Sequence, residues 1–99
     1  METLAQSTST QKINLIDGKF SASEASDIIN SILKVKINFH KLNRLSITEG
    51  NHKDECVYDS GRIVELIEEQ QIAKEFFSQA SLNGKKLKIK SIIQIEIED

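Results

Sequence analysis

The chain has 99 residues, a formal net charge of -2 and 38% hydrophobic residues, which indicates one small domain with a single modest core. The near-neutral charge selects neither a polyanionic nor a polycationic partner, and the four Phe and one Tyr are few for a ligand pocket or a base-stacking platform. One cysteine excludes an internal disulfide, and without an apolar run of signal-peptide or membrane-span length the chain is expected to be cytoplasmic.

The N-terminal segment predicts a flexible tail followed by a short strand. Residues 1–10 are rich in Ser and Thr and are expected to form the tail, with residues 11–99 as a single domain. Polar and apolar residues then alternate from Lys12 to Leu15, and Asp17-Gly18 is a turn signal. This pattern predicts a strand over residues 12–17 that ends in a turn.

A capping box predicts where the first helix begins. Ser21 and Glu24 have the spacing at which each side chain bonds the other residue's amide. Apolar residues follow at helical spacing as far as about Gly50: Ala25, Ile28, Ile29, Ile32, Leu33, Phe39 and Leu42. Residues 34–39 also alternate in the manner of a strand, but no turn residue separates them from the capped helix, so helix is the preferred prediction.

The second half predicts a loop, a helix and a long strand. Residues 50–61 are polar and predict the loop, residues 60–82 have helical periodicity, and Asn83-Gly84 supplies a helix stop. Alternating apolar residues predict a strand over residues 86–98. The predicted fold class is α+β, in the order β-α-α-β, with a helical hairpin packed on a two-stranded antiparallel ribbon.

Several strings resemble a group of short, uncharacterised bacterial proteins. They are Ile13-Asn14-Leu15-Ile16-Asp17-Gly18-Lys19-Phe20, Lys36-Ile37-Asn38-Phe39-His40 and the C-terminal segment around Lys86-Leu87-Lys88-Ile89 and Ile93-Gln94-Ile95-Glu96. The resemblance covers most of residues 11–98. It implies a compact bacterial domain and carries over neither an activity nor a functional residue.

The reactive side chains predict no catalytic or metal site. Cys56 could pair with His40 or His52 as nucleophile and base, but no catalytic signature surrounds it, and Asp54 and Glu55 would raise its pKa. The spacing of His52 and Cys56 matches no structural zinc pattern. We therefore predict that the protein is not an enzyme and uses no cofactor.

The charges are unevenly distributed along the chain. Two stretches without acids, residues 34–44 and 85–90, supply most of the basic residues, whereas residues 54–75 are strongly acidic. A basic binding face is therefore a hypothesis for phosphates or an acidic protein surface, and the alternative is a solvated strand face that discourages aggregation. Its candidate residues are Lys34, Lys36, Lys41, Arg44, Lys86, Lys88 and Lys90.

These features favour a non-enzymatic protein–protein interaction module that self-associates, with a small nucleic-acid-binding or regulatory protein as the alternative. Because the predicted first strand is much shorter than the last, part of the last strand would lack a partner. An unpaired apolar edge can pair with a second copy, so Ile93, Ile95 and Ile97 are the candidate self-association residues. A third strand over residues 34–39 would cover that edge within one copy instead.

Overall fold

Four elements make up the computed structural model, which describes residues 9–98: β1 (Thr10–Phe20), α1 (Ala22–Gly50), α2 (Val57–Leu82) and β2 (Leu87–Glu96). The predicted α+β class and the order β-α-α-β are confirmed. Residues 1–8 of the predicted tail lie outside the described residues, and Thr10, its last predicted residue, is the first residue of β1.

Helix α1 begins at the predicted capping box. The Ser21 hydroxyl accepts from the Glu24 amide at 3.1 Å, and the Glu24 carboxylate accepts from the Ser21 amide at 2.9 Å. The helix continues through residues 34–39, so the preference for helix over strand is confirmed. Ile37 is buried there against Ile63 and Leu66 of α2, and this burial outweighs the β propensity of the segment.

The connection between the helices is shorter than predicted. It covers residues 51–56, and α2 begins at Val57, so the predicted start near residue 60 is wrong. Cys56 takes the left-handed conformation at φ 52° and ψ 49°, where its amide donates to Asp54 Oδ1 at 2.8 Å. That single left-handed residue turns the chain sharply into α2, which the polar sequence of the loop does not reveal.

The two strands form one antiparallel ribbon of nearly equal strands. Thr10 pairs with Glu96 at one end and Phe20 with Leu87 at the other. The predicted turn at Asp17-Gly18 is wrong, because both residues lie inside the ladder opposite Lys90 and Ile89. The predicted mismatch in strand length is therefore wrong as well, and β2 is paired along its whole length.

The molecule is flat, with principal extents of 50 × 50 × 14 Å. The helices lie side by side, and α1 contacts both strands. The ribbon touches the helix pair mainly through a small contact with α1, so the helix pair and the ribbon lie side by side and do not stack as two layers. Domains are normally built from at least two packed layers, so much of the apolar surface has no layer against it.

Candidate interaction surface

A β-bulge in β1 places the apolar residues of the ribbon on one face. The register shifts by one residue between Asn14 and Ile16, which leaves Leu15 as the extra residue. Without the shift, Ile13 and Ile16 would point to opposite faces, because side chains alternate along a strand. With it, one side carries a continuous set, called here the inner ribbon face: Ile13, Ile16, Ile89, Ile93 and Ile95.

The bulge also lies at the junction with α1. Leu15 and Ile16 line a groove of about 420 Å³ whose opposite wall includes Ile28 and Ile32 of α1. The groove is open to solvent and predominantly apolar. The inner ribbon face is therefore continuous with the surface of α1 beside it.

Helix α1 carries a second apolar row that does not face α2. Its members, called here the outer stripe, follow one another at spacings of four, three, four and three residues: Ile28, Ile32, Val35, Phe39 and Leu42. The row toward α2 includes Leu33, Ile37 and His40. At 100° per residue, Val35 and Leu42 lie almost opposite that row. Val35 is 71% exposed, Phe39 55% and Leu42 66%.

The self-association candidates of β2 are exposed, and they do not extend beyond β1 as an unpaired overhang. Ile93 pairs with Ile13 and Ile95 with Gln11 in the ladder, and the Ile97 amide donates to the Ser9 carbonyl at 2.9 Å. The residues Ile93 and Ile95 are 41% and 48% exposed, and it is their side chains that face solvent. The side chains of Ile93 and Ile95 therefore belong to an exposed sheet face, and their role in self-association stays a prediction.

A buried polar cluster joins the helices. His40 is 1% exposed and Asp59 3% exposed, and His40 Nδ1 lies 2.8 Å from Asp59 Oδ1. The Asn43 amide donates to both carboxylate oxygens at 3.1 and 3.0 Å. These hydrogen bonds lower the pKa of Asp59, and the one from His40 has the largest effect. The ionised carboxylate only accepts hydrogen bonds, so the proton of the pair is on His40 Nδ1.

The cluster changes the interpretation of His40 and Cys56. His40 pairs with Asp59 and not with Cys56, whose Sγ lies 3.8 Å from the carbonyl oxygens of Arg44 and Asp54. Burial raises the pKa of the Cys56 thiol most strongly, and the negative charge of Asp54 raises it further. A protonated, buried thiol is a poor nucleophile, so this geometry does not assemble a cysteine–histidine pair.

The other nitrogen of His40 is enclosed. Nε2 is buried and has no hydrogen-bond partner among the described residues. The rings of Phe39 and Tyr58 lie edge-on to the imidazole, with centroid distances of 5.2 and 5.9 Å. An imidazole nitrogen sealed in this way cannot reach a substrate, so the geometry matches a packing role.

The basic candidates divide between two regions. Lys34, Lys36 and Lys41 are exposed on α1, whereas Arg44 is half-buried and its guanidinium donates to the Ser60 hydroxyl at 3.4 Å. Lys86 lies near Glu24 in the first turn of α1, since its charge acts on that carboxylate. The rise of α1 between Glu24 and Lys41 is about 25 Å, so Lys86 and Lys41 do not share a compact patch.

The ribbon brings a further lysine to its outer face. Lys88 and Lys90 alternate with the half-buried Leu87 and Ile89, and Lys19 is the cross-strand partner of Lys88. Lys19 is not among the predicted basic residues, because the predicted first strand ends before it. Phe39 and Leu42 are predicted as part of one apolar series from Ala25 onward, whereas their spacing from Ile28 identifies a stripe separate from the row toward α2.

Within residues 9–98, no group of three or more His, Cys, Asp and Glu side chains is placed to hold a metal ion. None of the described helices is both long and apolar enough to cross a membrane. In the comparisons with known proteins, no family model, curated protein or solved structure matches this chain.

Proposed function

We propose that the protein is a non-enzymatic protein–protein interaction module that self-associates. The observation that carries the proposal is the combination of a 14 Å thickness with apolar residues exposed on both the outer stripe and the inner ribbon face. Large contiguous apolar surfaces on soluble proteins mark sites where another protein binds.

The polar residues support this proposal. The one buried histidine is engaged with Asp59 and sealed by aromatic rings, and the one cysteine is a buried helix N-cap. An enzyme needs polar groups that converge on a cleft accessible to substrate. The groove at the ribbon junction is instead lined mainly by leucine and isoleucine.

Light scattering on protein eluting from a sizing column tests the proposal. At about 50 µM, we expect a mass of at least twice the chain mass of 11.2 kDa. A mass of one chain up to several hundred micromolar, in conditions where circular dichroism shows the helices are formed, would contradict self-association.

A nucleic-acid-binding protein is the second candidate, and one observation favours it. The outer ribbon face places Lys19 beside Lys88, with Lys90 on the same face. Phosphate contacts would make binding fall steeply with salt. We expect no mobility shift with single- or double-stranded DNA or RNA at low salt; a shift that Lys88→Glu abolishes would instead support the second candidate.

A further inference from the structure

We propose that two copies associate through their α1 helices, with the outer stripe of one copy packed antiparallel against the outer stripe of the other. This inference rests on the proposed self-association and assigns its surface, partner and geometry. The partner is a second copy of this chain, related by a two-fold axis near the middle of the stripe.

The spacing of the stripe is that of a helix–helix seam. Apolar residues that alternate at three and four residues repeat every 3.5 residues on average, which is the pattern of helices that pack along their length. Ile28 and Leu42 stand at the two ends of the stripe, seven residues on either side of Val35. A stripe that is nearly symmetric about its centre can pair with its own copy in the antiparallel direction, through a two-fold axis perpendicular to the helices.

The ribbon selects the antiparallel direction. The groove of Leu15 and Ile16 lies beside Ile28 and Ile32, at the N-terminal end of the stripe. Antiparallel packing places the C-terminal half of the partner's stripe, with Phe39 and Leu42, alongside that groove. Parallel packing would bring the two N-terminal ends together, so that each groove would lie beside the other ribbon and no helical residue from the partner's C-terminal half would reach it.

The inner ribbon face extends the same contact. Ile13 and Ile93 share a face with Ile16 beyond the groove. In the antiparallel arrangement this face lies beside the C-terminal end of the partner's α1, where Leu45 is also exposed. A second copy therefore covers both the outer stripe and the inner ribbon face.

The exposed area is sufficient for a stable dimer. Seven side chains of the two surfaces are 39–71% exposed, and each leaves on the order of 100 Å² to solvent: Ile13, Ile32, Val35, Phe39, Leu42, Ile93 and Ile95. Together with Leu45 they offer roughly 800 Å² per copy when fully covered, which is the contribution of each partner to a standard interface. The outer ribbon face, opposite the inner ribbon face, is rich in lysine and can stay exposed to solvent in the dimer.

The decisive experiment measures the dissociation constant of the dimer by sedimentation equilibrium. Val35→Lys with Leu42→Lys places two charges in the seam at positions already exposed in one copy, and lysine is a good helix former. We expect the dimer to weaken at least a hundredfold, while circular dichroism is unchanged. Val64→Lys is the matched control, because Val64 is exposed on α2 outside the stripe and its replacement should leave the dimer intact.

Two ribbon variants separate the inference from other modes of self-association. Ile93→Lys should weaken the dimer, whereas Ile92→Lys, on the opposite ribbon face, should not. If the wild type is a dimer and the Val35/Leu42 double variant remains one, the helix seam is wrong although the interaction module stands. If the wild type is a monomer, self-association itself is wrong, and the proposed function fails together with the helix seam.

Cross-linking tests the orientation. Oxidation should link two copies of Val35→Cys, which lies near the two-fold axis, but not two copies of Leu42→Cys, which the antiparallel arrangement holds apart. Efficient linking of Leu42→Cys would show a parallel seam and overturn the orientation. The native Cys56 is buried, and the Val64→Cys variant controls for random collision.

Discussion

The dependence of thermal stability on protein concentration is the most direct consequence of a one-layer fold. The buried apolar core of the described residues is small, with Ile37, Ile63 and Leu66 at its centre. If the outer stripe and the inner ribbon face complete that core in a dimer, unfolding separates the two copies, and mass action raises the melting temperature as protein is added. Dilution is therefore a perturbation that leaves every residue unchanged.

The size of the effect follows from the chain length. Unfolding a domain of 99 residues changes the entropy by about 0.2 kcal/mol/K per chain. A tenfold change in concentration shifts the free energy of a two-chain equilibrium by about 1.4 kcal/mol. Dividing by the entropy of both chains gives a rise of about 3–4 °C in melting temperature for each tenfold increase.

The assay is circular dichroism of the helices during heating, with cuvette path lengths chosen to cover about 1–100 µM. We expect the midpoint to rise by about 6–8 °C over this range and the Val35→Lys, Leu42→Lys variant to melt at a lower temperature that does not depend on concentration. Reversibility is checked by a second scan. A wild-type midpoint constant within about 1 °C would refute the reasoning, because the single layer would then be stable by itself.

Three further predictions concern the monomer. Ser21→Ala should lower the free energy of unfolding by about 1 kcal/mol in urea denaturation, because it removes the helix cap; an unchanged midpoint would contradict the capping role. Leu66→Ala should cost about 2–5 kcal/mol, whereas Val64→Ala at an exposed site should cost little, and similar losses would contradict the assigned core. Because the hydrogen bond from His40 lowers the pKa of Asp59, its contribution is present above the unfolded value of about 3.9 and lost as the pH falls through the folded value. Urea midpoints measured from pH 7 to 3 should therefore fall more steeply for wild type than for Asp59→Asn, and parallel curves would contradict the assignment.

The sequence predicts the elements whose signals are local. The capping box at Ser21 and Glu24 determines where α1 begins, and the periodic apolar residues after it extend the helix through the ambiguous segment. The alternating residues of the C-terminal segment identify β2. In each case the stabilising partners are a few residues apart on the chain, so a pattern within one window is sufficient.

The features that the sequence does not predict depend on distant partners. Asp17-Gly18 is a turn signal in isolation, but Gly18 is held in the ladder by Ile89. The bulge at Leu15 is needed only because Ile13 and Ile16 must share a face once β2 is beside them. His40 and Asp59 are 19 residues apart and belong to different helices, so their pairing becomes visible only when the helices are in register.

The register between α1 and α2 links the position of the buried polar cluster to the position of the exposed outer stripe. Phe39 and His40 are neighbours in α1, yet the imidazole is buried and the phenyl ring is mostly exposed. Rotating α1 by one residue would move Phe39 into the position of His40, move His40 to the exposed position of Lys41, and remove the hydrogen bonds of His40 and Asn43 to Asp59. Breaking a buried polar pair is strongly unfavourable, so the cluster holds the outer stripe away from α2. A helix that keeps a histidine inside and Val35, Phe39 and Leu42 outside is suited to contact a second surface.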